Sequence, residues 1–251
     1  MRIKKIDINC DMGETTEQSK MEIDKQIFPY ISSCNISCGL HAGNPLYIEK
    51  TIRGAIDHNL RIGAHPSYPD RQGFGRIKMN LATSELKAII KDQISALKGL
   101  TESCGGKLEY VKPHGALYNE MAKNEEEAIH VIEVIQTIDT NLAIMGLAGS
   151  QLEQIAKKMG INFISEAFGD RYYEANGKLR SRKKKKAVIN DAQEAIDQIL
   201  NIVLEQKAIA FDGNSIPIRA QSICIHGDNP AVLDILKLVH KNFKKNGIQL
   251  I

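Results

Sequence analysis

The chain has 251 residues, 43% hydrophobic and 25% charged, which is ordinary for a globular protein with a sizeable core. A net charge of +3 is too mild to point to a nucleic-acid partner, and low aromatic content without Trp argues against a base- or sugar-stacking platform. The basic start MRIKK is interrupted by Asp7 and Asn9 before any apolar region forms, so no signal peptide is expected, and the apolar window LAIMGLAG is too short to span a bilayer. The 5 cysteines are odd in number and scattered, as in a cytoplasmic protein with reduced thiols. Cys34 and Cys38 resemble a zinc half-site, but with no matching second pair they read better as small buried hydrophobes.

Strands and helices alternate. Strands are expected at 3–10 and 33–38, then a helix at 45–59 with Pro45 in its first turn, then a strand at 61–64. Thr83 is the expected cap of a long helix whose Leu86, Ile90, Ile94 and Leu97 keep the helical period until Gly105 and Gly106. A strand at 109–112 precedes a helix opened by Asn124, with Glu125, Glu126 and Glu127 in its first turn, where the helix dipole favours them. A buried strand in NLAIMGLAG, a short helix at 151–159 and a strand in INFISEA follow. An amphipathic helix spans 191–206, SICIH is a strand, and 231–245 closes the series as a helix. Six or seven βα units without a linker predict a single α/β domain over residues 1–251, a parallel sheet closed or nearly closed into a barrel. The basic run KLRSRKKKK predicts a solvated, mobile loop around 176–188.

Four of the 7 histidines share one context: a short apolar or β-prone run ends at the His, and small residues follow. These are His41 in NISCGLHAGNP, His65 in RIGAHPSYPD, His114 in YVKPHGALYN and His226 in ICIHGDNP. In parallel α/β folds, working residues collect at the carboxyl ends of strands, and Asp11, Glu14, Asp170 and Arg171 fall there too. An Asp and several His converging from separate strands match a divalent metal such as zinc, iron or manganese. They match metal-free acid–base chemistry equally well, and the spacing leaves both open. Pro113 biases Lys112 toward extended backbone, placing Lys112 and His114 on one face; a lysine in a barrel mouth would hold a carbonyl or an anion. Arg71 and Arg76 in PDRQGFGR are candidates to clamp a substrate carboxylate; as a phosphate cradle the loop lacks G-x-G-x-x-G. No Walker-type motif is present.

The segments DINCDMGE, CNISCGLHAGNP, IGAHPSYPDRQGFGR, VKPHGALYN, LAGS, EAFGDRYY and ICIHGD resemble, in order, the signature segments of the LamB/YcsF family, from about residue 5 onward. The resemblance implies a distorted (β/α)7-type barrel related to polysaccharide-deacetylase and YdjC-like hydrolases. It implies the cytoplasmic A subunit of an ATP-hydrolysing 5-oxoprolinase that works with subunits B and C, turning 5-oxo-L-proline (pyroglutamate) into L-glutamate. ATP would then be bound on the partners, with no nucleic acid or membrane involved; a homo-oligomer and a divalent metal stay open. By analogy with the distant hydrolases, Asp11, His65 and His114 would hold the metal, with His41 competing. The expected catalytic set is Asp11, Glu14, His41, Lys112, Asp170, Arg171 and His226, with Arg71 and Arg76 on the substrate. Two alternatives stand beside this: a stand-alone metal-dependent amide hydrolase or deacetylase, and a non-catalytic substrate-delivery subunit. The chain departs from the family pattern at Asn44, where Asp is usual, and at Tyr172, where Gly is usual.

Overall fold

A computed structural model describes residues 4–251. Seven parallel strands close into a barrel: β1 (Lys4–Met12), β2 (Ser33–Ser37), β3 (Arg61–His65), β4 (Leu108–Val111), β5 (Ala143–Leu147), β6 (Phe163–Phe168) and β9 (Ser222–Cys224). Closure comes from β9, which pairs with β6 on one side and with Asp7–Asn9 of β1 on the other. The first three residues of β1 pair in parallel with β10 (Ile248–Leu250), in a register that begins Lys4↔Ile248. Strand β1 therefore runs two residues beyond the expected 3–10, and Ile3 lies outside the described residues. A two-stranded antiparallel ribbon, β7 (Lys207–Ile209) and β8 (Ser215–Pro217), stands apart from the barrel sheet.

Helices α2 (Pro45–Asp57), α3 (Thr83–Ser103), α5 (Glu125–Ile138), α6 (Gln151–Met159), α7 (Ala192–Glu205) and α8 (Val232–Asn246) follow the expected pattern. Asn124 and Asp191 cap α5 and α7 through their side chains. Asn44 caps α2 by accepting from the Tyr47 N–H, a task its amide oxygen performs as an aspartate would. Helix α3 is capped differently from the expectation: Ala82 is the N-cap, without a side-chain bond, and Thr83 is already helical.

Two helices were not foreseen. In α1 (Gln18–Ile27) only Met21 and Ile27 are buried, too thin a stripe to read as a period. The other, α4 (Gly115–Met121), is two turns that follow β4 almost directly. The β7–β8 ribbon was missed as well, although Asp212-Gly213 at its turn is a hairpin signal.

The barrel lumen is polar, and this decides where the chemistry sits. Along β1 the alternate residues Ile8, Cys10 and Met12 join the apolar layer under the helices, while Asp7, Asn9 and Asp11 bond to one another's neighbours across the lumen. At the base, Asp7 accepts from Ser32 and Ser33 at 2.7 and 2.5 Å and from Ser222. One layer up, Asn35 donates to Asn9 and Asp11, each at 2.7 Å, and accepts from the Tyr110 hydroxyl at 2.6 Å. Gly63 makes room for that tyrosine: a Cβ there would lie 2.2 Å from the ring. Each of these buried polar groups has a partner, which is the condition for burying them at all.

Candidate active site

The top of the lumen opens into a cavity of about 530 Å³ lined by Asp11, Glu14, His65, Lys112, His114 and His226, with Arg76, Arg171 and the segment Leu179–Lys183 around its mouth. Lys112, 2% exposed, is the centre of the floor. Its ammonium lies 2.8 Å from Asp11 Oδ1, 2.8 Å from Glu166 Oε1, 3.1 Å from Asn9 Oδ1 and 3.2 Å from Cys224 Sγ. The Glu166 contact is an ion pair outside hydrogen-bond alignment, and Oε1 accepts no hydrogen bond; Oε2 accepts from Tyr118 at 2.7 Å. Burial alone would push the lysine's pKa down, but Asp11, Cys224 and Glu166 together hold it well above the usual ammonium value. Asp11 is likewise penalised by burial, and His65 and Lys112 outweigh that and hold it well below the usual carboxylate range. The floor is thus a locked ion pair, not a lysine tuned to act as a base.

Beside it, Glu14, His41, His65 and His114 bring one carboxylate oxygen and three ring nitrogens within 4.8 Å of one another. Their outer hydrogen bonds fix what each nitrogen presents. His65 Nδ1 donates to the Lys112 carbonyl at 2.6 Å, and His114 Nε2 donates to the Phe74 carbonyl at 2.8 Å. His41 Nδ1 lies 3.0 Å from Ser67 Oγ, whose proton is committed to the Tyr68 carbonyl at 2.8 Å, so the imidazole is the donor. In the neutral rings the inward nitrogens then carry lone pairs: His65 Nε2 and His114 Nδ1, 2.9 Å apart, and His41 Nε2, 2.9 Å from Glu14 Oε1. Lone pairs facing one another at that distance repel unless a cation lies among them. Imidazoles anchored through their outer N–H on carbonyls are also the usual support of a metal site. The donor set therefore fits a divalent metal, although not the expected triad: Glu14 and His41 complete it, while Asp11 is committed to Lys112 and Asn35. In a second group, Asp11, Cys224 and His226, the first two already contact the Lys112 ammonium, at 2.8 and 3.2 Å.

The local sequence explains this geometry. Gln93 of α3 accepts from the Ser67 N–H and donates to the Ser67 carbonyl, fixing the residue that orients His41. The loop PDRQGFGR is a clamp on His114: a Cβ on Gly75, at φ 65°, would lie 2.8 Å from the His114 ring. Arg71 does not reach the cavity; its guanidinium donates to the carbonyls of Gly39 and Gly43 at 2.8 and 2.6 Å. Arg76 does line the mouth, where it pairs with Asp228 at 2.9 Å.

Asp170 is fully buried and away from the cavity lining, so its expected contact with water or substrate has no geometric basis. It accepts instead from His226 Nδ1 at 2.8 Å, from the His226 N–H and from Asn229, at 3.1 Å each. Burial opposes its charge, but His226 and Asn229 hold it below the usual carboxylate range. An ionised Asp170 keeps the proton on Nδ1 and leaves Nε2 free to accept. Tyr172, the other departure from the family pattern, is accommodated by a bond from its hydroxyl to Glu194 at 2.5 Å. Among the basic run, residues 183–186 are exposed as expected, but its stem is pinned by Arg171, which donates to the Ala187 and Arg180 carbonyls.

A residue outside the expected set gives a pH signature. Asp24 on α1 accepts from the Gly13 N–H at 3.3 Å, and burial, with Glu14 adding to it, raises its pKa to about 7. A carboxyl raised this way is protonated in the fold and ionised in the unfolded chain between about pH 4 and 7, so its contribution weakens stability as pH rises through that window. Asp24→Asn is expected to stabilise the protein by about 1–2 kcal/mol at pH 8, discounted for partial exposure, and by nothing at pH 4. Urea unfolding at the two pH values measures it, and an equal effect at both would refute the assignment.

The LamB/YcsF family model matches residues 6–251. The chain belongs to the LamB/YcsF family. A Bacillus cereus (strain AH187) protein, named as the A subunit of 5-oxoprolinase, is 43% identical over 98% of this chain and 97% of its own length. The solved lactam utilization protein from Thermus thermophilus is 36% identical and superposes with a TM-score of 0.90 over 98% of both chains. A T48 deacetylase, 12% identical, shares the barrel at a TM-score of 0.50, covering 99% of this chain and 88% of its own. That likeness concerns the fold alone, a (β/α)7-type barrel as expected. No helix among the described residues is long and apolar enough to cross a membrane.

Proposed function

We propose that this LamB/YcsF chain is the ring-opening subunit of a cytoplasmic ATP-dependent 5-oxoprolinase, acting with subunits B and C to convert 5-oxo-L-proline, ATP and water into L-glutamate, ADP and phosphate. The observation that carries the reading is the juxtaposition, on one cavity floor, of the locked Lys112 ammonium and a histidine whose tautomer is set by a buried aspartate. A five-membered lactam is a poor electrophile because its amide resonance is intact, and phosphorylation of the carbonyl oxygen removes that resonance. With no Walker-type motif in this sequence, the phosphoryl-transfer site is assigned to the partners.

In this reading His226 Nε2 takes a proton as water adds to the activated ring carbon, with Asp170 stabilising the imidazolium. The C–N bond breaks, the ring nitrogen takes the proton back from His226, and a second water releases phosphate from the resulting acyl phosphate. Lys112 stabilises the negative charge that develops on the water-derived oxygen of the tetrahedral adduct, and its pairing with Asp11 and Glu166 keeps it charged and in place. A divalent cation held by Glu14, His41, His65 and His114 would supply Lewis-acid stabilisation of developing negative charge.

Reconstitution with the two partner subunits tests this: ATP-dependent glutamate formation is expected, and its absence would refute the assignment. Asp170→Asn is expected to lower kcat by about 10²–10⁴-fold with assembly intact, because the wrong His226 tautomer is then allowed. Wild-type turnover in that variant would favour the delivery-subunit reading. The histidine cluster favours a second reading, a stand-alone metal-dependent amide hydrolase, which requires ring opening by the chain alone without ATP.

A further inference from the structure

The mouth of the cavity holds more positive charge than the chain itself uses. Arg76, Arg171, Arg180, Arg182 and Lys183 line it, and Asp228 is the carboxylate set against them there. Asp228 pairs with Arg76 at 2.9 Å and lies 3.8 Å from Arg182. Arg180 is held from the outside, paired with Glu174 at 3.0 Å and stacked on Phe211.

Arg171 is the informative member. It is only 7% exposed, yet it makes no ion pair among the described residues. Its Nε and Nη2 donate to the carbonyls of Ala187 and Arg180 at 3.0 and 2.6 Å, which satisfies hydrogens but not charge. Burial and the nearby Arg182 lower its pKa to about 10 against the opposing charge of Asp170, whose carboxylate is taken up by His226 and Asn229, so Arg171 stays a cation at neutral pH. A buried guanidinium without a counter-ion carries a desolvation penalty that an arriving anion relieves.

A lone carboxylate is served by one bidentate guanidinium. The further cations around Arg171 call for a ligand of higher charge. We propose that this mouth binds the phosphoryl group of a phosphorylated ligand, with Arg171 as the buried anchor and Arg76, Arg182 and Lys183 closing around the oxygens. The group then stands over the Lys112 and His226 floor. The proposal rests on the oxoprolinase reading only for the source of the phosphoryl group: an activated lactam or a nucleotide.

Calorimetric titration of the full-length chain with inorganic phosphate, acetate, 5-oxoproline and ADP tests it without requiring turnover. Phosphate is expected to bind at least ten-fold more tightly than acetate at equal ionic strength. The rim double variant Arg182→Glu/Lys183→Glu is expected to weaken phosphate ten-fold or more while changing 5-oxoproline binding less than three-fold, with an unchanged melting temperature. ADP binding a hundred-fold above phosphate would make the phosphoryl a nucleotide's; comparable affinities would make it a small ligand's. Either supports the site. Phosphate binding no tighter than acetate, or unaltered in the double variant, overturns it. If reconstitution yields no glutamate but phosphate binds as described, the oxoprolinase reading fails and the anion site stands.

Discussion

Replacing Lys112 with methionine is expected to lower turnover of the reconstituted enzyme by about 10²–10³-fold and to cost roughly 3–5 kcal/mol of stability. The two effects have one origin. Asp11 and Glu166 both lie 2.8 Å from the ammonium and are buried with it, and removing it leaves two carboxylates with no cation between them. The pH dependence carries the same signature. Asp11, depressed in the fold, contributes stability that is present above the ordinary carboxylate pKa and lost as pH falls through the folded value. In Lys112→Met only His65 is left to depress Asp11, so the variant should lose less on acidification than the wild type does. Adding Glu166→Gln should recover part of the stability, because one uncompensated charge is then removed, but none of the activity. Thermal unfolding and glutamate assays on the single and double variants separate the terms. A lysine that merely filled space would tolerate methionine at nearly full stability, and that outcome would refute a charge-bearing role for Lys112.

Much of this site was legible in the sequence because the chain repeats one device: a strand ends at a polar residue and a small residue follows. His41, His65, His114 and His226 were found by that recurrence, and the cavity brings His65, His114 and His226 to its lining with His41 immediately behind Glu14. The polar lumen was not foreseen, although the alternation Asp7, Asn9, Asp11 on β1 and Ser33, Asn35, Ser37 on β2 records it. Parallel strands buried on both faces are normally read as apolar runs, so single polar residues inside them pass as edge positions. Glu166 is the clearest case: in INFISEA nothing local separates a lumenal glutamate from a surface one, and its meaning depends on Lys112, 54 positions away. Arg71 and Arg76 illustrate the converse. They are near neighbours of one type on one loop, and only the path of the loop sends Arg76 to the cavity and Arg71 to the Gly39 and Gly43 carbonyls.

The second large effect concerns the three imidazoles. Purified protein incubated with zinc or cobalt is expected to retain about one equivalent of metal, and His65→Ala or His114→Ala to retain little. The cobalt-loaded protein should show the visible absorption of a nitrogen- and oxygen-ligated low-coordinate ion, a readout independent of turnover. The argument is one of protons: each ring spends its N–H on the Lys112 carbonyl, the Phe74 carbonyl or Ser67, so the inward nitrogens of neutral rings have none to give one another. A metal reconciles that arrangement, and so does a single extra proton. The two alternatives predict opposite responses to pH. Burial opposes the charged form of His65, but Asp11 outweighs it and raises its pKa; proton-bridged stability is therefore full below the ordinary histidine value and is lost as pH rises through the folded one. Metal-bound stability grows with pH over the same range, because deprotonated ligands bind the ion more tightly. Melting curves from about pH 6 upward, with and without zinc, distinguish the two. No zinc-dependent stabilisation at the alkaline end would assign the cluster to a proton and leave Lys112 as the sole fixed cation on the cavity floor.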